Sequence, residues 1–190
     1  LTGGIRSKEH PRDYLTDATL HSGRRNLIAE DIKNFFPSVC ADLVRRMWQG
    51  LYHLRPEVAD VLTKLTTYQG FLPQGAPTST YIGNLVLWDE EPVVVARLDS
   101  IGIRYTRYVD NISLSHDEVL TREAIREVTS LVYGMLYRHG LRPKRRKRVT
   151  STRRKAQILH GLNLNSGQPT LPREKRALIW NAVRKVEYTY

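Results

Sequence analysis

The chain has 190 residues, 41% hydrophobic and 26% charged, enough for one domain with a buried core and too apolar for a disordered polypeptide. Its formal charge of +11 is concentrated, with nine lysines and arginines and no acid between Arg142 and Lys155, a density that suits a polyanion through phosphate neutralisation and counterion release. A single cysteine, Cys40, excludes an internal disulfide framework and a cysteine-ligated zinc, and the absence of a long apolar span or a signal-peptide layout leads us to expect a reducing cytoplasm and no membrane partner.

Residues 1–25 are polar, carry Gly3-Gly4 and Pro11, and read as loop or short helix; because the chain starts at Leu1, we expect a longer protein around it. A strand is expected over 26–31, ending at Asp31. Pro37 then breaks the pattern, Ser38 is a candidate helix cap, and Val39, Leu43, Val44, Met47 and Leu51 form a helical stripe. A second helix is expected from Pro56, a favoured first helical residue, to Thr67. Gly70-Phe71-Leu72-Pro73-Gln74-Gly75-Ala76-Pro77-Thr78-Ser79 is too interrupted for regular structure and reads as a shaped loop entering a helix over 79–91, with a kink or new start at Pro92 before Val93–Leu98.

Strands over 103–109 and 112–115 flank Asp110 as a hairpin. Ile125, Val128, Leu131, Val132, Met135 and Leu136 mark a long amphipathic helix with Gly140 as its C-terminal cap. Beyond the basic run, Gln157–Asn165 reads as one or two short strands, Ser166-Gly167 as a turn and Leu171–Val186 as a helix. Strands and helices mix without βαβ alternation, so the expected fold class is α+β, an antiparallel sheet covered by helices on one face.

Asp31 and Asp110 each end an apolar, strand-like run. Taken singly, Asp31 reads as a cap and Asp110-Asn111 as a hairpin turn. Taken together, two carboxylates at two strand ends can clamp divalent metals for phosphoryl transfer, one cation activating the attacking oxygen and one stabilising the leaving oxygen. Oxygen ligands select Mg²⁺, with Mn²⁺ as a substitute, and a triphosphate would complete the coordination.

The same residues carry a family resemblance. Asp31-Ile32-Lys33-Asn34-Phe35-Phe36-Pro37-Ser38 resembles motif A of reverse transcriptases, Leu72-Pro73-Gln74-Gly75-Ala76-Pro77-Thr78-Ser79 resembles motif B, and Tyr108-Val109-Asp110-Asn111 resembles motif C. Within the family the chain looks most like the bacterial branch that holds retron and group II intron enzymes. Asp17-Ala18-Thr19-Leu20-His21 is similar to the retron Asn-Ala-x-x-His signature and Leu159-His160-Gly161-Leu162 to Val-Thr-Gly, with Asp17 in place of Asn and Leu159-His160 in place of Val-Thr.

The resemblance implies a polymerase palm with partial fingers: fingers over 1–25, palm over 26–165 with a fingers-like insertion near 50–73, and the end of the palm or start of the thumb over 166–190. It implies an RNA-directed DNA polymerase using two Mg²⁺, with an RNA template, a DNA primer and deoxynucleoside triphosphates as partners, and it admits a dedicated non-coding RNA and further domains or effector proteins. Asp31, Asp110, Asn111 and the backbone carbonyl of Ile32 match the metal ligands. Lys33, Phe35, Phe36, Gln74, Gly75 and Tyr108 match positions around the nucleotide and primer end, Phe36 being the ring that would reject a 2′-hydroxyl. Lys147 falls where the family carries a basic residue that protonates pyrophosphate, while His21, Arg142, Lys144, Arg145, Arg146 and Arg148 are expected on nucleic acid.

Asn111 departs from the family's second aspartate. It keeps an oxygen donor and loses a full charge, which lowers metal affinity while leaving the geometry. Two alternatives follow: a catalytically silent, RNA-binding palm, and a template-independent DNA polymerase of the kind found in antiphage systems.

Overall fold

The structure, a computed structural model, describes residues 13–187. Its centre is a four-stranded antiparallel sheet of β1 (Asn26–Asp31), β2 (Arg104–Tyr108), β3 (Asn111–His116) and β4 (Val149–Thr152) in the order β2-β3-β1-β4. Eight helices surround it: α1 (Tyr14–His21), α2 (Phe35–Ser38), α3 (Ala41–Leu51), α4 (Pro56–Thr66), α5 (Ser79–Leu85), α6 (Glu91–Asp99), α7 (Arg122–Arg138) and α8 (Arg173–Glu187). A small hairpin, β5 (Ile158–Leu159) and β6 (Leu162–Asn163), completes the α+β fold.

Alternation along the strands sorts the sheet into two faces. Ile28, Ile112 and Leu114 point to one face and share a core with Leu43, Val44 and Met47 of α3 and Val128, Val132, Met135 and Leu136 of α7. This is the helix-covered face expected from the pattern. The register pairs Leu27 with Ser115, Ala29 with Ser113 and Asp31 with Asn111, so these six share the opposite face. That face is closed only towards Leu27, where Ala18 of α1, Leu159, Leu162 and Leu164 form a smaller core. Towards Asp31 it is open.

Several boundaries differ from expectation for identifiable reasons. Phe35–Ser38 turns into a short helix of its own, after which Val39 runs extended and accepts from the Leu72 N–H at 2.9 Å. Cys40, not Ser38, therefore caps α3, and it bridges Phe71 at the start of the shaped loop. The expected helix over 79–91 stops at Leu85, with turns through residues 86–90. Pro92 has no N–H to give to a helix interior, so α6 begins around it, with the proline in its first turn.

The basic run hides β4, whose Val149-Thr150-Ser151-Thr152 pairs with β1 from Ala29 to Asn26. Three β-branched residues in four make this a good edge strand, and the flanking lysines and arginines mask the signal. Among the described residues, no helix is long and apolar enough to cross a membrane.

Candidate active site

β2 and β3 are joined by the two-residue turn Val109-Asp110, closed by the pairing of Tyr108 with Asn111. Val109 has φ +58° while Asp110 does not share the positive sign, the pattern of a type II′ turn, which ordinarily takes glycine first. A β-branched residue there stores strain of about 1–3 kcal/mol, a cost met at functional turns when the surroundings hold the backbone. One tie is the Ile32 N–H, which donates to the Asp110 carbonyl at 2.8 Å. Another is Arg107, whose Nη1 donates to the Val109 carbonyl at 3.0 Å.

Asp31 faces Asn111 directly across the β1–β3 ladder. The end of β1 is stitched on its other side to the start of the basic run: the Lys144 N–H donates to the Asp31 carbonyl and the Lys33 N–H to the Arg142 carbonyl, both at 2.7 Å. Asp31, Asp110 and Asn111 are thus fixed by backbone on three sides while their side chains stay half-buried. The Asn111 Nδ2 donates to the Asp110 Oδ1 at 3.0 Å. An aspartate in that place would set two negative charges against each other, whereas the amide donates to the Asp110 carboxylate.

An open cleft of about 480 Å³ lies over this end of the sheet, with Asp31, Asn111, Arg146, Arg148 and His160 among its lining. Among the described residues no three His, Cys, Asp or Glu side chains cluster as a metal site. The donors offered here are two carboxylates, the Asn111 amide and the Ile32 carbonyl, an all-oxygen set that fits a hard cation if substrate or water supplies the remaining ligands.

The neighbouring residues divide into exposed and structural. Gln74 and Gly75 stand exposed on the shaped loop, Gly75 at φ +90°, and Lys33 is exposed beside the cleft end of β1. Phe36 is half-exposed, its ring centroid 5.4 Å from that of Phe35. Phe35 corrects the expectation that both rings serve the nucleotide: it is 3% exposed and lies in the main core. An ideal Cβ at Gly83 would stand 2.9 Å from Phe35 and 3.6 Å from Phe36, so α5 packs directly on this pair.

His21 is a second correction. It is buried, its Nδ1 and Nε2 2.7 Å from the hydroxyls of Ser115 and Thr106 respectively, and it ties α1 to the sheet. Burial pushes its pKa down to about 4, so it sits neutral. Arg145 is partly structural too, donating to the Tyr137 hydroxyl at 3.0 Å with its guanidinium 5.6 Å from the Tyr133 ring. Arg148 lies 3.9 Å from the buried Glu30, whose carboxyl is raised by desolvation and accepts from the Tyr133 hydroxyl at 2.7 Å. Arg142, Lys144 and Arg146 are exposed. Lys147 belongs to a 3₁₀ turn over Arg145–Lys147, and its side chain lies outside the described residues.

Three residues to which the sequence reading gave no place in the site matter here. Arg107 is 0% exposed, and its guanidinium binds both oxygens of the buried Glu91 at 2.6 and 2.8 Å as well as the carbonyls of Gly83, Asn84 and Val109. Burial alone would lower its pKa, but Glu91 outweighs that effect and holds it above the ordinary arginine value. One side chain therefore links α5, α6 and the Asp110 turn. The third residue, His160, lines the cleft with its ring 5.1 Å from that of Tyr108.

The sheet order, the register and the acid-bearing turn define a reverse-transcriptase type of fold, and comparison with solved structures agrees. The telomerase of Candida albicans, solved in complex with a TWJ fragment of telomeric RNA, superposes with a TM-score of 0.61 at 10% identity over 87% of this chain and 34% of that one, a likeness of fold. By sequence, the chain is a relative of the bacterial retron reverse transcriptases. It is 33% identical over 171 residues to the Retron Se72 reverse transcriptase of Salmonella heidelberg, covering 88% of this chain and 45% of the relative. To the Retron Ec48 reverse transcriptase of Escherichia coli it is 33% identical over 165 residues, covering 86% and 40%. The chain thus spans less than half the length of these two curated relatives. No protein-family model matches it.

Proposed function

We propose that the chain is the fingers–palm part of an RNA-directed DNA polymerase, extending a DNA primer on an RNA template with deoxynucleoside triphosphates. The observation that carries this reading is the register that sets Asp31 opposite Asn111, with Asp110 in the adjoining two-residue turn and an open cleft above them. The retron relatives and the reverse-transcriptase fold support it, and the RNA in the telomerase complex makes an RNA partner a consistent choice.

In this reading Asp31, Asp110, Asn111 and the Ile32 carbonyl hold Mg²⁺, which when bound supplies charge neutralisation for the triphosphate and activation of the primer hydroxyl. The chain's own groups do the positioning. Phe36 presents a bulky half-exposed ring to the sugar, Gln74 and Gly75 offer an exposed loop edge to nucleotide and template, and Arg142, Lys144 and Arg146 offer positive charge to phosphates beside the cleft. Residues before 26 serve as fingers, those from 166 as the approach to a thumb.

One observation favours a silent palm: Asn111 stands where the family carries a second aspartate, so the site holds one negative charge fewer for a cation. The test is incorporation of labelled deoxynucleotide on a primed RNA template, with Mg²⁺ and separately Mn²⁺, using wild type, Asp110→Ala and Asn111→Asp. We expect template-dependent product that Asp110→Ala abolishes and Asn111→Asp increases. Product that survives Asp110→Ala removes the metal assignment. Tight RNA binding with no product from wild type or Asn111→Asp establishes the silent palm, and product without template establishes template-independent synthesis.

A further inference from the structure

The two departures from the retron signatures meet in space. Asp17, in the place of the signature asparagine, is 0% exposed, and its Oδ2 accepts from the His160 Nε2 at 2.8 Å. His160, in the place of the signature threonine, is the first residue of the β5–β6 turn and has φ +50°, followed by Gly161 at φ +77°. Both central residues are left-handed, which makes this a type I′ turn, where asparagine or aspartate is the common first residue. The side chain at that turn has a specific setting. The buried carboxylate grips one ring nitrogen, the ring packs 5.1 Å from Tyr108 at an interplanar angle of 59°, and the residue lines the cleft that holds Asp31 and Asn111. Tyr108 is the β2 residue paired with Asn111, one position before the strained turn.

We propose that His160, through the ring it packs on Tyr108, is a positioning residue that sets the Tyr108 ring and through it the seat of the primer terminus. The proposal rests on the polymerase reading for what Tyr108 contacts. The geometry separates two roles for His160, because its hydrogen bond runs to Asp17 and its ring packs on Tyr108. A merely structural pair would need the hydrogen bond, whereas a positioning device for Tyr108 needs the ring. β2 presents Tyr108 at its end, where nothing beyond Asn111 continues the ladder to brace the ring. The β5–β6 turn supplies that brace from another part of the chain. Tilting Tyr108 would leave the carboxylates in place and misplace the reacting hydroxyl, so binding survives and turnover falls.

Two double variants divide these roles. Asp17→Leu/His160→Phe keeps an aromatic ring against Tyr108 and removes the charge and the hydrogen bond together. Asp17→Asn/His160→Gln keeps a hydrogen-bonding pair and removes the ring. Each is measured for thermal melting, for affinity to a primed RNA template, for kcat and nucleotide KM of single-nucleotide addition, and for emission of a 2-aminopurine placed at the primer 3′ end, which brightens when the terminal base is unseated. The expected result is that the ring-keeping variant matches wild type in emission and in kcat, while the ring-lacking variant melts normally, binds the template with unchanged affinity and nucleotide KM, but brightens and loses kcat about 10-fold or more. The reverse order, equal behaviour of the two variants, or a kcat loss that tracks only the melting temperature overturns the proposal. Emission reads seating without chemistry, so a wild type that seats the primer but adds no nucleotide refutes the polymerase reading alone, and one that neither seats nor extends refutes both.

Discussion

Replacing Arg107 with methionine keeps most of the side-chain volume and removes the charge from the best-buried ion pair in the described chain. Glu91, 2% exposed, would be left with the Tyr105 hydroxyl at 2.7 Å as its hydrogen-bond partner, and the carbonyls of Gly83, Asn84 and Val109 would lose a donor. Breaking a buried pair from one side costs about 3–5 kcal/mol. For a chain of this size each kcal/mol lowers Tm by roughly 2–4 °C, so Arg107→Met should melt about 6–20 °C below wild type. The double variant Arg107→Met/Glu91→Leu removes both charges and should recover part of that loss, because an apolar pair needs no compensation. Its recovery is incomplete, since Tyr105 then loses its acceptor. Nucleotide addition should stay impaired in the double variant even as Tm recovers, for the Val109 carbonyl is no longer held. Calorimetry or circular dichroism melting of wild type, both single variants and the double variant closes the cycle. A Tm within about 2 °C of wild type for Arg107→Met would refute the reasoning, as it would mean that the charges are solvated in solution.

His21 predicts an acid-sensitive fold. Its pKa is about 4 when folded, against about 6.5 in an unfolded chain, so the unfolded state takes up a proton first as pH falls. Above pH 6.5 the group is neutral in both states and contributes nothing to the slope; between pH 6.5 and 4 it removes up to about 3 kcal/mol of stability, and below 4 the effect levels off. Denaturant titrations across that window should show a shallower loss for His21→Gln than for wild type, and parallel curves would sink the assignment. Gly83→Ala puts a methyl 2.9 Å from the buried Phe35 ring, and overpacking of this kind costs about 1–3 kcal/mol. Because Phe36 sits beside it, the variant should also relax discrimination against ribonucleotides, read as a ratio of kcat/KM values; an unchanged ratio would separate Phe36 from sugar selection.

The parts of the fold legible from sequence are those in which local pattern and tertiary role agree. Asp31 and Asp110 end apolar runs, and the flanking patterns define β1, β2, β3 and α7 before any contact is known. Where charge and burial disagree, pattern fails. Arg107 and Glu91 look like surface residues, yet they neutralise each other in the core. β4 is concealed for the opposite reason, since a β-branched stretch among arginines reads as a solvated loop. His21 keeps its ring nitrogens satisfied inside the protein, while His160, 143 positions from Asp17 in sequence, takes its meaning from a contact that no local signal marks.

Cys40 has a practical consequence. It is the only thiol in the chain, it is half-buried, and it bridges Phe71 at the mouth of the Gln74 loop, where the Ala41 N–H also donates to the Gly70 carbonyl at 2.8 Å. A maleimide fluorophore would therefore attach to the native sequence at one place, without mutagenesis or removal of competing thiols. Its emission would read the surroundings of that loop, so adding a deoxynucleoside triphosphate to the labelled protein would test the polymerase reading without any substitution.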